Sequence, residues 1–125
     1  GNAGLKVLVA DDNCDAADSM AMILELSGCE VCVAHSGEEA LRRARETSPQ
    51  VMILDIGMPG LSGYEVAAAV RREPWGAGIL LMAITGWGQA GDKDRAKAAG
   101  FDHHLTKPVD VDQVERLLLD FRRAS

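Results

Sequence analysis

Five side chains of this 125-residue chain could do chemistry together: Asp11, Asp12, Asp55, Thr85 and Lys107. Each lies at or just past the end of a predicted strand. Asp55 closes the apolar run Val51-Met52-Ile53-Leu54 and is followed by Ile56-Gly57-Met58-Pro59-Gly60. One carboxylate is thereby set where a buried strand meets a loop, a position that suits a nucleophile. Asp11 and Asp12 close Val7-Leu8-Val9-Ala10, and two further runs end in Thr85 and in Lys107-Pro108. Taken singly, Asp55 is a turn or helix cap, Lys107 a solvated lysine and Pro108 a turn residue. The set carries the meaning.

Three carboxylates in one place repel each other and resist ionisation unless a cation joins them. A hard divalent cation is the natural remedy, and Mg²⁺ usually takes one or two carboxylates together with waters and phosphate oxygens. Mn²⁺ can substitute. A carboxylate beside such an ion can attack phosphorus to give an acyl phosphate. Lys107 would then pair with one phosphoryl oxygen and the Thr85 hydroxyl with another.

Positioning these groups requires a parallel sheet. Continuous apolar strands alternate with helical patterns, which predicts an α/β, doubly wound (βα)5 domain with helices on both faces. Strands are predicted near Lys6 to Ala10, Glu30 to Ala34, Val51 to Leu54, Leu80 to Ile84 and Asp102 to Thr106. With the flavodoxin-like order 2-1-3-4-5, the first and third strands are neighbours, and Asp11, Asp12 and Asp55 meet at the switch point where such sheets bind ligands.

The helices have their own signals. The first follows Asn13, with Ala16, Met20, Ile23, Leu24 and Ser27 as its stripe and Gly28 as terminator. Ser36-Gly-Glu-Glu39 and Ser62-Gly-Tyr-Glu65 both match the capping-box pattern. The fourth runs from about Asp92 to Ala99 and offers little apolar area. The fifth starts with Asp110 and Gln113 as cap and partner and places Val114, Leu117, Leu118 and Phe121 on one face.

Composition narrows the function further. A net charge of −6 argues against a nucleic-acid surface, and the pairs Arg42-Arg43, Arg71-Arg72 and Arg122-Arg123 read as solvated helix faces. The longest apolar stretch, Ile79 to Ile84, is far too short for a membrane span, so membrane contact is not expected. Three cysteines, Cys14, Cys29 and Cys32, suit a reducing cytoplasm, and Cys29 and Cys32 would point to opposite faces of their strand. His103 and His104 likewise diverge, which argues against a metal pair. Asp11-Asp12-Asn13-Cys14-Asp15 is not a calcium loop, since Ala16 and Met22 stand where glycine and glutamate are needed. Two acids after the first strand also disfavour a flavin phosphate there. Residues 1–4 are unpatterned, a linker or remnant, and residues 5–125 form one domain.

Asp11-Asp12, Asp55 with Met58-Pro59-Gly60, Thr85-Gly86 and Lys107-Pro108, in this order and spacing, resemble a response-regulator receiver domain over nearly the whole chain. The resemblance implies two-component phosphorelay signalling. Asp55 would accept a phosphoryl group from a phosphohistidine on a sensor histidine kinase or histidine phosphotransfer protein. Asp12, Asp55 and the Gly57 backbone carbonyl would hold Mg²⁺, with Asp11 acting through water. A cis peptide before Pro108 is also implied, and proline makes one accessible. Signalling would pass from Thr85 to the face made by the fourth helix, fifth strand and fifth helix. The family's aromatic switch position is His104 here, an imidazole that can still move and would add pH sensitivity. Trp87 is bulky enough to shield the acyl phosphate and slow its hydrolysis. Such a domain is not a conventional enzyme, since it catalyses its own phosphorylation and dephosphorylation. The segments around Ala83 to Gln89 and Gly100 to Pro108 look like receivers of hybrid histidine kinases, so a cytoplasmic location includes the cytoplasmic part of a membrane-bound kinase. The alternatives are a degenerate receiver that binds partners without phosphorylation and a haloacid dehalogenase-like phosphatase, whose Asp-x-Asp motif after the first strand is absent.

Overall fold

A computed structural model describes residues 4–86 and 92–124, and side chains within them except those of residues 92 and 93. Five strands, β1 (Lys6–Ala10), β2 (Glu30–Ala34), β3 (Val51–Asp55), β4 (Leu80–Thr85) and β5 (His103–Thr106), alternate with five helices. These are α1 (Cys14–Leu26), α2 (Gly37–Thr47), α3 (Gly63–Arg72), α4 (Asp92–Ala99) and α5 (Val111–Ala124), with a 3-10 turn at Pro74–Gly76. The sheet order is β2-β1-β3-β4-β5, all neighbours parallel, as the alternation predicts.

Every residue of β3 and β4 is buried, because helices cover both faces of the sheet. Alternate residues therefore feed two separate cores. Leu8, Met52, Leu54 and Leu81 pack under α2 and α3 with Val66, Ala67 and Val70. Val7, Val9, Ile53 and Met82 pack under α1 and α5 with Leu24, Val114 and Leu118. Cys29 joins the second core and Cys32 borders the first, on opposite sides as alternation requires.

Several local expectations need correction. The buried face of α1 is Ala17, Met20, Ala21 and Leu24, while Ala16 is exposed and Ile23 remains 40% exposed. Alanines at 16, 17 and 21 blur the apolar stripe, so the pattern alone sets the rotation about one residue off. Strand β5 spans His103–Thr106, one residue inside the expected range, and Asp102 still bonds to β4: its amide donates to Leu81 O at 2.8 Å, and its carboxylate accepts from the Leu81 amide at 2.9 Å and pairs with Arg71. Ser62 and Glu65 make the full capping box. At α2 Ser36 accepts from the Glu39 amide, but the Glu39 carboxylate reaches one residue further, to the His35 amide at 2.8 Å.

Arg71 is not a solvated partner of Arg72. Its guanidinium donates to the carbonyls of Gly100, Gly76, Ala77 and Ile79 at 2.8–3.2 Å and to Asp102 at 2.9 Å. It ties the end of α3 to the starts of β4 and β5. Among the described residues, no helix is long and apolar enough to cross a membrane.

Candidate phosphoacceptor cleft

The sheet brings its functional groups to one edge because parallel strands share a direction. Asp55 and Thr85 are the last residues of β3 and β4, and Asp11 and Lys107 directly follow β1 and β5. Backbone bonds hold these exits in sheet geometry: the Asp11 amide donates to Ala34 O at 3.1 Å and the Lys107 amide to Thr85 O at 2.9 Å. The Lys107–Pro108 peptide is cis.

Asp55 is 5% exposed, and both its oxygens are engaged. The Gly57 amide donates to Oδ1 at 2.9 Å and Lys107 Nζ donates to Oδ2 at 3.1 Å. Asp11, also 5% exposed, accepts from the Asn13 amide at 2.9 Å, while Asp12 is exposed at the mouth. Carboxylate oxygens of Asp11, Asp12 and Asp55 all lie within 4.8 Å of one another, the one cluster of metal-ligating side chains found among the described residues.

The electrostatics follow from that crowding. Burial, with the hydrogen bond and charge of Asp55 beside it, pushes the Asp11 carboxyl up to about 6, against a lowering pull from the Asn13 amide and Lys107. Burial works to lower Lys107, but its hydrogen bond to Asp55 and the charges of Asp55, Asp11 and Asp12 outweigh it and leave it raised. A hard cation fits this donor set, since it would relieve the repulsion that one ammonium only partly offsets.

The loop after Asp55 is shaped by glycine. Gly60 has φ of +72°, a left-handed conformation that side chains rarely adopt. At Gly63 a Cβ would lie 2.8 Å from the Asp55 carbonyl oxygen and 2.7 Å from Ile56 Cα, so only glycine lets α3 start against the strand end. The sequence places α1 directly after Asn13, but the bond from the Asn13 amide to Asp11 and the close approach at Gly63 have no sequence signature of their own. The Asn13 side chain caps α1, accepting from the Ala16 amide at 3.1 Å, as its place before the helix suggests.

Thr85 is 1% exposed, and its Oγ1 lies 3.0 Å from Nε2 of His104. Trp87 lies outside the described residues.

An acidic cleft at the switch point of a 2-1-3-4-5 sheet defines a flavodoxin-like domain, with its acids where sheets of this order bind ligands. Residues 7–118 match the family model of the response regulator receiver domain, and the chain belongs to that family, the receivers of two-component systems. It is 34% identical over 119 residues to an uncharacterised 14.6 kDa protein of Leptolyngbya boryana, covering 95% of this chain and 91% of that one. It is 37% identical to the virulence sensor protein BvgS of Bordetella pertussis, with 91% of this chain and 10% of that one covered. Identity is also 37% to the transcriptional regulatory protein KdpE of Mycobacterium tuberculosis, over 94% of this chain and 51% of the relative. The chain thus spans nearly all of one relative, half of another and a tenth of a third.

Solved structures agree. The chemotaxis response regulator CheY4 of Vibrio cholerae superposes with a TM-score of 0.87 at 29% identity, over 94% of this chain and 98% of that one. The receiver domain of sensor histidine kinase PA1611 from Pseudomonas aeruginosa, which carries a magnesium ion coordinated in its active site cleft, gives 0.86 at 25% identity, over 95% and 98%.

Proposed function

We propose that Asp55 accepts a phosphoryl group from a phosphohistidine on a sensor histidine kinase or histidine phosphotransfer protein, in a Mg²⁺-dependent reaction. The single observation that carries this reading is the Asp55 carboxylate, buried, held by the Gly57 amide and Lys107, with two further acids within 4.8 Å. Asp55, Asp12 and the Gly57 carbonyl would hold the ion, and Asp11 would act through water. The ion supplies neutralisation of the charge that builds on the transferring group.

The chain's own groups do the rest. The Gly57 amide and Lys107 fix the orientation of the carboxylate, so one oxygen meets phosphorus as a phosphorus–oxygen bond forms and the phosphorus–nitrogen bond of the donor breaks. Lys107 then transfers its hydrogen bond to a phosphoryl oxygen, and Thr85 donates its hydroxyl to another. Their rearrangement would alter the face formed by α4, β5 and α5. A magnesium ion in the related PA1611 receiver supports the cation, and the membership of sensor and regulator relatives in the family supports the relay.

The test is incubation with Mg²⁺ and acetyl phosphate, followed by intact-mass measurement. One phosphoryl group, removed by hydroxylamine or alkali as an acyl phosphate is, is expected on the wild type, none after chelation and none on Asp55→Asn. Phosphorylation that survives Asp55→Asn would overturn the assignment. Partner binding that is identical with and without Asp55 would instead favour a receiver that signals without phosphorylation.

A further inference from the structure

Resting on the reading of Asp55 as phosphoacceptor, we infer that His104 is a positioning residue for Thr85: it decides whether the single hydroxyl proton of Thr85 is free to meet the phosphoryl group. Thr85 is 1% exposed and its best partner is Nε2 of His104 at 3.0 Å. The alternative acceptor, the Leu105 carbonyl, stands at 3.5 Å, the limit of a hydrogen bond. The pairing of Ala83 with His104 and of Thr85 with Thr106 fixes this contact as a diagonal across the β4–β5 ladder.

A threonine hydroxyl has one proton to give and lone pairs to receive, whereas a neutral imidazole carries its proton on one nitrogen and accepts at the other. If Nε2 is bare, Thr85 donates to it and has nothing left for phosphate. If Nε2 carries the proton, the ring donates to Oγ1, holds the side chain in place and leaves the hydroxyl proton to point elsewhere. Phosphoryl oxygens of an acyl phosphate only accept, so Thr85 must donate to them. Phosphorylation at Asp55 therefore selects the ring form with hydrogen on Nε2.

The change needs no co-reactant. His104 is half-buried and borders an open groove of about 430 Å³ with Ala96, Lys97, Phe101, Asp102 and His103. Water there can take the proton from Nδ1 while another is delivered to Nε2, with no net change in charge. The exchange reverses what Nδ1 offers, from donor to acceptor, on the surface between α4 and β5. Phosphorylation is thereby written into hydrogen-bonding character, without requiring the ring to swing.

The experiment is a two-bond nitrogen–proton correlation spectrum of uniformly ¹⁵N-labelled protein, read at the His104 ring with Mg²⁺ alone and with Mg²⁺ plus beryllofluoride as the phosphoryl mimic. The expected result is loss of the bare-Nε2 signal of His104 on adding beryllofluoride and its replacement by a protonated Nε2, with the neighbouring His103 ring unchanged. The same His104 tautomer in both states overturns the inference, as does a bare Nε2 in the beryllofluoride complex. If beryllofluoride fails to move the Gly57 amide resonance, the acceptor reading itself is wrong and the inference falls with it; a moved Gly57 with an unmoved His104 sinks the inference alone.

Discussion

Lys107 holds its proton more tightly than an ordinary lysine even though burial works against it, because three acids face it. That ammonium is the cleft's own counter-charge. Lys107→Ala should slow phosphorylation of Asp55 by about 10²–10³-fold, the usual consequence of deleting one preorganised donor to the transferring group. A stopped-flow or quench measurement with acetyl phosphate and saturating Mg²⁺ checks it, and a rate within a few-fold of wild type would remove Lys107 from the reaction.

Asp11 gives a second residue-scale prediction, with a definite sign. Its carboxyl titrates near 6 in the fold against 3.8 when free, so the fold disfavours its ionised form. The resulting destabilisation is present above that range, shrinks as pH falls through about 6 and is gone below the free value. Metal-free protein should therefore gain stability from this group on acidification from about pH 7 to about pH 5, a gain that Asp11→Asn abolishes. Mg²⁺ bound as proposed would compete with that proton, so its affinity should weaken over the same interval. Thermal melts of both proteins with chelator or Mg²⁺ read all four cases. At this scale the acids, Thr85 and Lys107 were legible because each ends an apolar run. The partner of Thr85 was not, because a diagonal contact across two strands has no local sequence signature.

Helix α3 is fastened at both ends. Its start is held by the Ser62–Glu65 box and by the close approach at Gly63, and its end by Arg71. Ser62→Ala should cost about 1 kcal/mol, the typical value of a lost N-cap, measured by urea denaturation. Arg71→Met should cost more, about 2–4 kcal/mol, because four carbonyls and the Asp102 carboxylate each lose a charged donor together. A loss within the error of the Ser62 variant would mean that water replaces the guanidinium at little cost. The strands and most helix boundaries were readable from periodicity and caps. Arg71 was not: adjacent arginines on a helix normally face solvent, and only the chain's return at Gly76 to Ile79 and at Gly100 to Asp102 surrounds one of them with acceptors. The rotation of α1 was hidden by its alanines, which pack or face water with little difference in pattern.

For the whole molecule, the order β2-β1-β3-β4-β5 follows from alternation joined to family resemblance, and it explains why residues as distant as Asp11 and Lys107 share one cleft. Saturating Mg²⁺ should raise the melting temperature as any ligand of the native state does, and Asp55→Ala should reduce that increment. The two-sided core has another consequence. Leu81 and Leu118 are both fully buried, yet they belong to clusters on opposite faces of the sheet. Each changed to alanine should cost about 2–5 kcal/mol, and the double variant should lose the sum to within about 0.5 kcal/mol. A larger deviation would show that the sheet transmits strain between its faces. With additivity, β3 acts as a party wall: the flank carrying α1 and α5 and the flank carrying α2 and α3 can each accumulate substitutions for a new neighbour without renegotiating the other, while Asp55 stays on the wall they share.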